Sequence, residues 1–390
     1  MINAIKEIFK RELRLTARDI NIISIILLAP LFYSFFYGSI YINKVERKLP
    51  IVIYDEDMSQ TTRTIAEHLN ASQMINVTGY VNDFNSGIDK INSNQAYGMV
   101  YFPKGFEAGL KLYRGATVKT YLNTTRFLVS NDINIAINEV IINENADIKL
   151  KFFEKAGFSY GQAKELVEPV KYDVRPLFNT TESYGDFLIP GIFVLIIQQT
   201  LLIGLSESVA KERELGTTGN LFELGKGNIF AVINGKGLLF ALIFGAFSLL
   251  FFTFNYLVFK INMYGNGAAL FIFTFLLIAA AIYFSIFIAS FFKKKILAVQ
   301  FLTISTYPIF LISGYSWPKF AMPLWVQYIA DLIPSTPYLA AFMRITKMGA
   351  GLGQTMPELI HLAILTSLFY SAAHIRLKQL LKKQTSNNEE

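Results

Sequence analysis

Side chains able to do chemistry are few and scattered in this chain. It has three histidines, His68, His361 and His374, far apart in sequence, and no cysteine. Disulfides, thiolate catalysis and Cys-based metal sites therefore have no ligands to draw on. The densest acidic run is Asp55-Glu56-Asp57. Carboxylate oxygens suit hard cations, but the regularly spaced further ligands of a calcium loop do not follow. A strand end leading into a capped helix start is the favoured account of the run. No GxxxxGK[ST] phosphate loop is present, and Gly235-Lys236-Gly237 lacks both its spacing and its hydroxyl. HExxH and nucleophile-elbow patterns are missing too. The residues supply no catalytic set, no metal set and no cofactor site.

Two other groups of polar residues stand out by position. Gln198, Gln199, Asn255, Gln300, Thr303 and Thr306 lie inside apolar runs, and the last three recur at about helical spacing, so they share a face. Polar groups in such runs either hydrogen-bond between helices or wall a transport path. The second group is Glu207, Lys211, Glu212, Arg213, Glu214, Gly216 and Thr217, which follows an apolar run directly. A short charged helix fixed to a span makes a lever for a soluble partner; a solvated turn is the plainer alternative.

The elements that would position these residues follow from hydropathy. Of 390 residues, 53% are hydrophobic and only 17% charged, with 35 Phe, which is the balance of a membrane protein rather than a soluble one. Six runs are apolar enough to insert: 21–42, 187–206, about 237–259, 268–292, 296–312 and about 359–374. The first is long enough to cross a ~30 Å hydrocarbon core, and no small-residue cleavage site follows it, so it reads as a permanent span rather than a signal peptide. Lys6, Lys10, Arg11, Arg14, Arg18, Lys211, Arg213, Lys226, Lys236, Lys293, Lys294, Lys295, Arg376, Lys378, Lys382 and Lys383 fall on one side of a six-span plan. The opposite short loops hold Lys260, Lys319, Arg344 and Lys347. The positive-inside rule makes the rich side cytoplasmic, with both termini there, in the inner (cytoplasmic) membrane. This distribution explains the net charge of +7 without nucleic acid as a partner.

The expected organisation is an α-helical integral membrane protein of six transmembrane helices with an inserted α/β extracytoplasmic domain. Residues 1–20 form an amphipathic interface helix, with Ile5, Ile8, Phe9, Leu13 and Leu15 at near-helical spacing. The first span occupies 21–42 and the extracytoplasmic domain 43–186. Five further helices fill 187–378, with a cytoplasmic segment at 207–228 and an external re-entrant segment at 314–356. A cytoplasmic tail covers 379–390. In the domain, strands are expected at 51–54, 75–81, 98–102, 117–122 and 171–174, alternating with helices, including a long one from Asp132 to about Lys155. Sequons at Asn70, Asn76, Asn123 and Asn179 matter only in a glycosylating host. Prolines 318, 323, 334, 337 and 357 break the external segment into short helices that dip against the bundle.

Several short patterns, in order and with this hydropathy plan between them, resemble the permeases of the ABC type-2 transporter class. These are Asp55-Glu56-Asp57-Met58-Ser59 with Arg63; Val174-Arg175-Pro176-Leu177-Phe178-Asn179 followed by Pro190-Gly191; Glu212-Arg213-Glu214-Leu215-Gly216-Thr217; and Ser313-Gly314-Tyr315-Ser316-Trp317-Pro318 with Met322-Pro323 and Pro334-Ser335-Thr336-Pro337-Tyr338. The resemblance implies an exporter subunit without its own ATPase site. ATP and Mg would be used by a partner ABC ATPase, gripped through Glu207, Lys211, Glu212, Arg213, Glu214, Gly216 and Thr217. It also implies a second permease chain, identical or sister, and in this branch a periplasmic adaptor and an outer-membrane channel. The cargo would be amphipathic or lipophilic and moved outward. One departure is Thr218-Gly219-Asn220, where the family continues with an acidic helix and where Gly219 weakens a helix by roughly 1 kcal/mol relative to Ala. The alternatives are a receptor whose outer domain binds a ligand, which would need a cytoplasmic output module, and a membrane enzyme, which would need an acid, base or metal cluster.

Overall fold

Apolar patterning alone dictates most of the helices in the computed structural model, which describes residues 1–42, 46–112, 114–170, 174–180 and 183–389, with side chains described to 382. The chain divides into two compact units, one of Met1–Lys44 with Pro176–Glu390 and one of Val45–Arg175.

Among the described residues, the first unit contains six helices long and apolar enough to cross a membrane: Ile20–Ile40, Tyr184–Glu214, Ile229–Val258, Gly267–Ala289, Lys295–Ile312 and Met356–Lys382. The second of these is central. It packs against the first, third, fourth and fifth, and Phe193, Leu201 and Leu205 are fully buried with Phe240, Phe244 and Phe273. Polar caps set the starts: Ser183, Asn228 and Asn266 each accept a hydrogen bond from an amide in the first turn. Short π-helical turns interrupt the first span at Ser24–Leu28 and the third at Phe251–Asn255. A separate amphipathic helix, Ile2–Thr16, precedes the first span and packs on the third.

Three spans run further than hydropathy marks, the last span as a helix from Met356 to Glu389. The second continues unbroken to Glu214, so Glu207–Glu214 prolong the span rather than forming a helix of their own after Ser206. The third begins at Ile229 and passes straight through Lys236. The stretch between the fifth and last spans forms a 3-10 turn at Lys319–Ala321 and helices Leu324–Ala330 and Ser335–Thr346. Tyr338 and Phe342 of the last are fully buried, with the Tyr338 and Thr274 hydroxyls 2.9 Å apart. Tyr315 stacks on Phe187 with ring centroids 5.3 Å apart, and its hydroxyl donates to the Phe187 carbonyl.

The second unit is a small α/β domain. Strands β1 (Leu49–Asp55), β2 (Ile75–Val81), β3 (Gly98–Phe102) and β4 (Lys119–Leu122) form one sheet in the order β2-β1-β3-β4. β1 is parallel to β2 and β3, and β4 is antiparallel to β3. The parallel pairs need crossovers, supplied by helices Gln60–Ala71 and Phe84–Asn92. Alternation sorts the faces: Ile51, Ile53, Val100 and Phe102 pack with Ile65, Leu69, Ile133 and Ile137, while Val52 and Met99 pack with Val81 and Ala96. The long helix runs Phe127–Lys155. The expected strand at 171–174 falls mostly outside the described residues.

Candidate functional site at the charged end of the bundle

The apolar periodicity of Ile2–Thr16 places Ile8 and Glu12 four residues apart, on one face. Both are fully buried. The helix approaches the third span where Gly235 leaves room: a Cβ there would lie 2.8 Å from Ile8 Cβ and 3.1 Å from the Ile5 carbonyl oxygen. Glu12 thereby reaches Lys236, the next residue along. The Lys236 ammonium has three donors, and all are used: to Glu12 Oε2 at 2.6 Å, Ser208 Oγ at 2.8 Å and Glu212 Oε1 at 2.8 Å. Ser208 passes its proton-bearing side to Glu12. Arg11 closes the set by donating to Glu212 Oε1 at 2.7 Å. Two cations thus face two carboxylates, a balance that the burial of Lys236, Glu12 and Glu212 demands.

Further ion pairs stitch the same end. Lys211 donates to Asp19, and Asp19 also caps the first span by accepting from the Asn21 and Ile22 amides. Burial alone would raise the Asp19 carboxyl, but the Lys211 hydrogen bond and those amides outweigh it and hold the group below its ordinary value. Glu207 pairs with Lys295 at 3.3 Å. Glu214 accepts the Lys295 amide at 2.8 Å, which caps the fifth span. Arg213 donates to the carbonyls of Ser290 and Phe292, which end the fourth. Five of the six long helices and the amphipathic helix are therefore joined by charge at one end. This arrangement makes a joint in which the charged groups face opposite charges or backbone carbonyls, while Glu212 Oε2 is buried and meets no partner among the described residues.

The charged run read from sequence as one contact surface is thus divided by the structure. Glu207, Lys211, Glu212 and Arg213 turn inward to partners in their own chain. Beyond them, Gly216 at φ +70° ends the helix in a Schellman turn, with the Thr217 amide on the Glu212 carbonyl at 2.9 Å and the Gly216 amide on that of Arg213 at 3.3 Å. A short helix, Thr218–Leu224, follows despite Gly219. Glu214, Leu215, Gly216, Asn220, Glu223 and Leu224 stay exposed.

The polar residues within the spans also separate. Gln198, Gln199 and Asn255 are buried, and the amide nitrogen and oxygen of each meet no hydrogen-bond partner among the described residues. Gln300 and Thr303 are exposed and Thr306 half-buried, on the outward face of the fifth span. The acidic run of the α/β domain is occupied locally. Asp55 accepts from the Asp57 and Met58 amides and from Thr62, Glu56 from the Tyr54 and Tyr101 hydroxyls, and Asp57 from the Gly105 and Glu107 amides. Glu56 holds the Tyr54 hydroxyl up at about 12. Among the described residues no three His, Asp or Glu side chains converge as a metal site would require.

Sequence reasoning missed Glu12 and Asp19, and took Arg11 and Lys236 only as topology charges. The available signal was Glu12 on the apolar face of an amphipathic helix, and a lysine followed by an uninterrupted apolar run.

A family model described as "ABC-2 family transporter protein" matches residues 21–375. "Probable multidrug ABC transporter permease YbhR" of Escherichia coli strain K12 is 24% identical over 334 residues, covering 84% of this chain and 86% of that one. The protein of the same description from Escherichia coli O157:H7 matches equally.

Proposed function

The chain belongs to the ABC-2 transporter family of multi-pass membrane permeases, which lack an ATPase domain, and we propose that it is the membrane subunit of an exporter driven by a separate ABC ATPase docked at the charged end of the bundle. The observation that carries this reading is the joint around Lys236. Motion imposed on the short helix Thr218–Leu224 passes through one turn into the second span, and through Glu212, Lys236 and Glu12 into the third span and the amphipathic helix. The contact itself then falls on Glu214, Leu215, Gly216, Asn220, Glu223 and Leu224. Glu207, Lys211, Glu212 and Arg213 transmit the motion.

The cargo in this reading is amphipathic or lipophilic, in keeping with the description of the Escherichia coli relative as a multidrug permease. A groove of about 1000 Å³ between the third and fourth spans supports entry from the bilayer; Leu238, Ala241, Gly245, Phe252 and Phe275 are among its lining. Gln198, Gln199 and Asn255 mark the inner path. Gln300, Thr303 and Thr306 complete it when a second permease chain covers the outward face of the fifth span. A periplasmic adaptor and an outer-membrane channel would receive the cargo.

The sidedness is tested by labelling. The chain has no cysteine, so single cysteines report cleanly. With an impermeant maleimide on intact spheroplasts, Asn94→Cys should label and Asn220→Cys should label only after permeabilisation. The reverse pattern would put the charged end outside and remove the ATPase reading.

A further inference from the structure

At the end of the bundle opposite Lys295, a cavity of about 510 Å³ is walled by the 313–319 turn, helix Ser335–Thr346 and the start of the last span. We propose that it holds the headgroup of a phospholipid bearing both a phosphate and a primary ammonium, from the leaflet at that end. Such a site would serve whatever cargo the chain moves.

Two ion pairs line the cavity, Lys319 with Asp331 and Arg344 with Glu358, the latter at 2.6 Å. Neither is saturated. Arg344 has five N–H donors and uses Nη1 on Glu358 and Nη2 on the Gln354 carbonyl. Glu358 Oε2 is buried and meets no partner among the described residues. The same holds for Thr336 Oγ1, on a side chain only 6% exposed. The His361 Nε2–H donates to the Asp331 carbonyl at 2.8 Å and fixes that wall. With two cations and two carboxylates, a purely anionic or purely cationic ligand meets like charge on entry. A zwitterion meets a complement at each end: phosphate with Arg344 and Lys319, ammonium with Glu358 and Asp331, and Thr336 as a hydroxyl partner. Leu339, Ala340 and Met343 offer an apolar wall for the glycerol end.

The depth fits as well. Trp317, Phe320, Trp325 and Tyr328 of the same segment are 58%, 87%, 67% and 69% exposed. Amphipathic aromatic rings collect at headgroup level, so this segment sits where headgroups are.

The test uses the full chain in detergent micelles doped with dioleoyl-phosphatidylethanolamine, -phosphatidylcholine and -phosphatidylglycerol at equal mole fraction, with retained lipid read by native mass spectrometry. A primary ammonium donates hydrogen bonds that a trimethylammonium cannot. Hydrogen bonds to charged groups are large enough for retention of phosphatidylethanolamine to exceed the other two by about tenfold. Thr336→Val should lower that preference several-fold, and Glu358→Gln should abolish it. Equal retention of the three headgroups by the wild-type chain, or a preference unchanged in both variants, would mean annular lipid only and overturn the proposal. The wild-type comparison, with identical tails, decides the matter even if a variant misfolds.

Discussion

Replacing Lys236 by Met should destabilise the transmembrane unit by about 3–5 kcal/mol, the usual result of stripping one partner from a buried ion cluster. The change removes an ammonium that satisfies Glu12, Ser208 and Glu212 together and leaves two buried carboxylates with Arg11 as their one remaining cation. Methionine fills nearly the same volume, so a packing defect contributes little. The measurement is the thermal midpoint of the purified chain by fluorescence-detected size exclusion. A variant carrying Glu12→Gln as well should recover most of the loss, because the remaining carboxylate, Glu212, keeps Arg11 as its partner. A midpoint for Lys236→Met alone within error of wild type would mean that the ammonium is not held between carboxylates.

Gln198→Leu with Gln199→Leu should act in the opposite direction on stability while abolishing export. A buried amide without a partner costs roughly 1–3 kcal/mol, and these two side chains bury four such atoms. If they served only to hold helices together, partners would be present in the neighbouring helices, and removing them would destabilise the fold. If instead they wait for cargo, water or a second chain, the leucine pair should raise the thermal midpoint by several degrees and cost most of the transport into inverted vesicles. A lowered midpoint with transport retained would assign them to packing and remove them from the path.

The span pattern was legible because it depends on long apolar runs, and the strands at Ile75–Val81 and Gly98–Phe102 because alternation and a flanking turn or proline bound them. What escaped depends on side chains that meet from distant segments. Lys236 interrupts the apolar run, and hydropathy begins the third span after it. The helix passes through that residue because Glu12 and Glu212, 224 and 24 residues away, neutralise it. The charged run from Glu207 reads as a solvent-facing lever, since composition carries no information on which way each side chain turns. Four of its residues are used up by Lys295, Asp19, Arg11 with Lys236, and the carbonyls of Ser290 and Phe292. Likewise the three-residue recurrence of Gln300, Thr303 and Thr306 identified a shared face but could not say that the face points away from the rest of the chain.

The central claim, a separate ATPase seated on the short helix after the second span, is tested most directly by cross-linking in this cysteine-free chain. Single cysteines at Glu223, Asn220 and, as a control at the opposite end, Trp325 would each carry a short photoactivatable maleimide in inverted membrane vesicles from the native host. The account predicts that Glu223→Cys and Asn220→Cys capture one protein with a GxxxxGK[ST] nucleotide-binding loop, identified by mass spectrometry, and that ATP changes the yield. Trp325→Cys should not capture it. Capture of that protein at Trp325 alone, or no nucleotide-binding protein at Glu223 and Asn220, would contradict the claim.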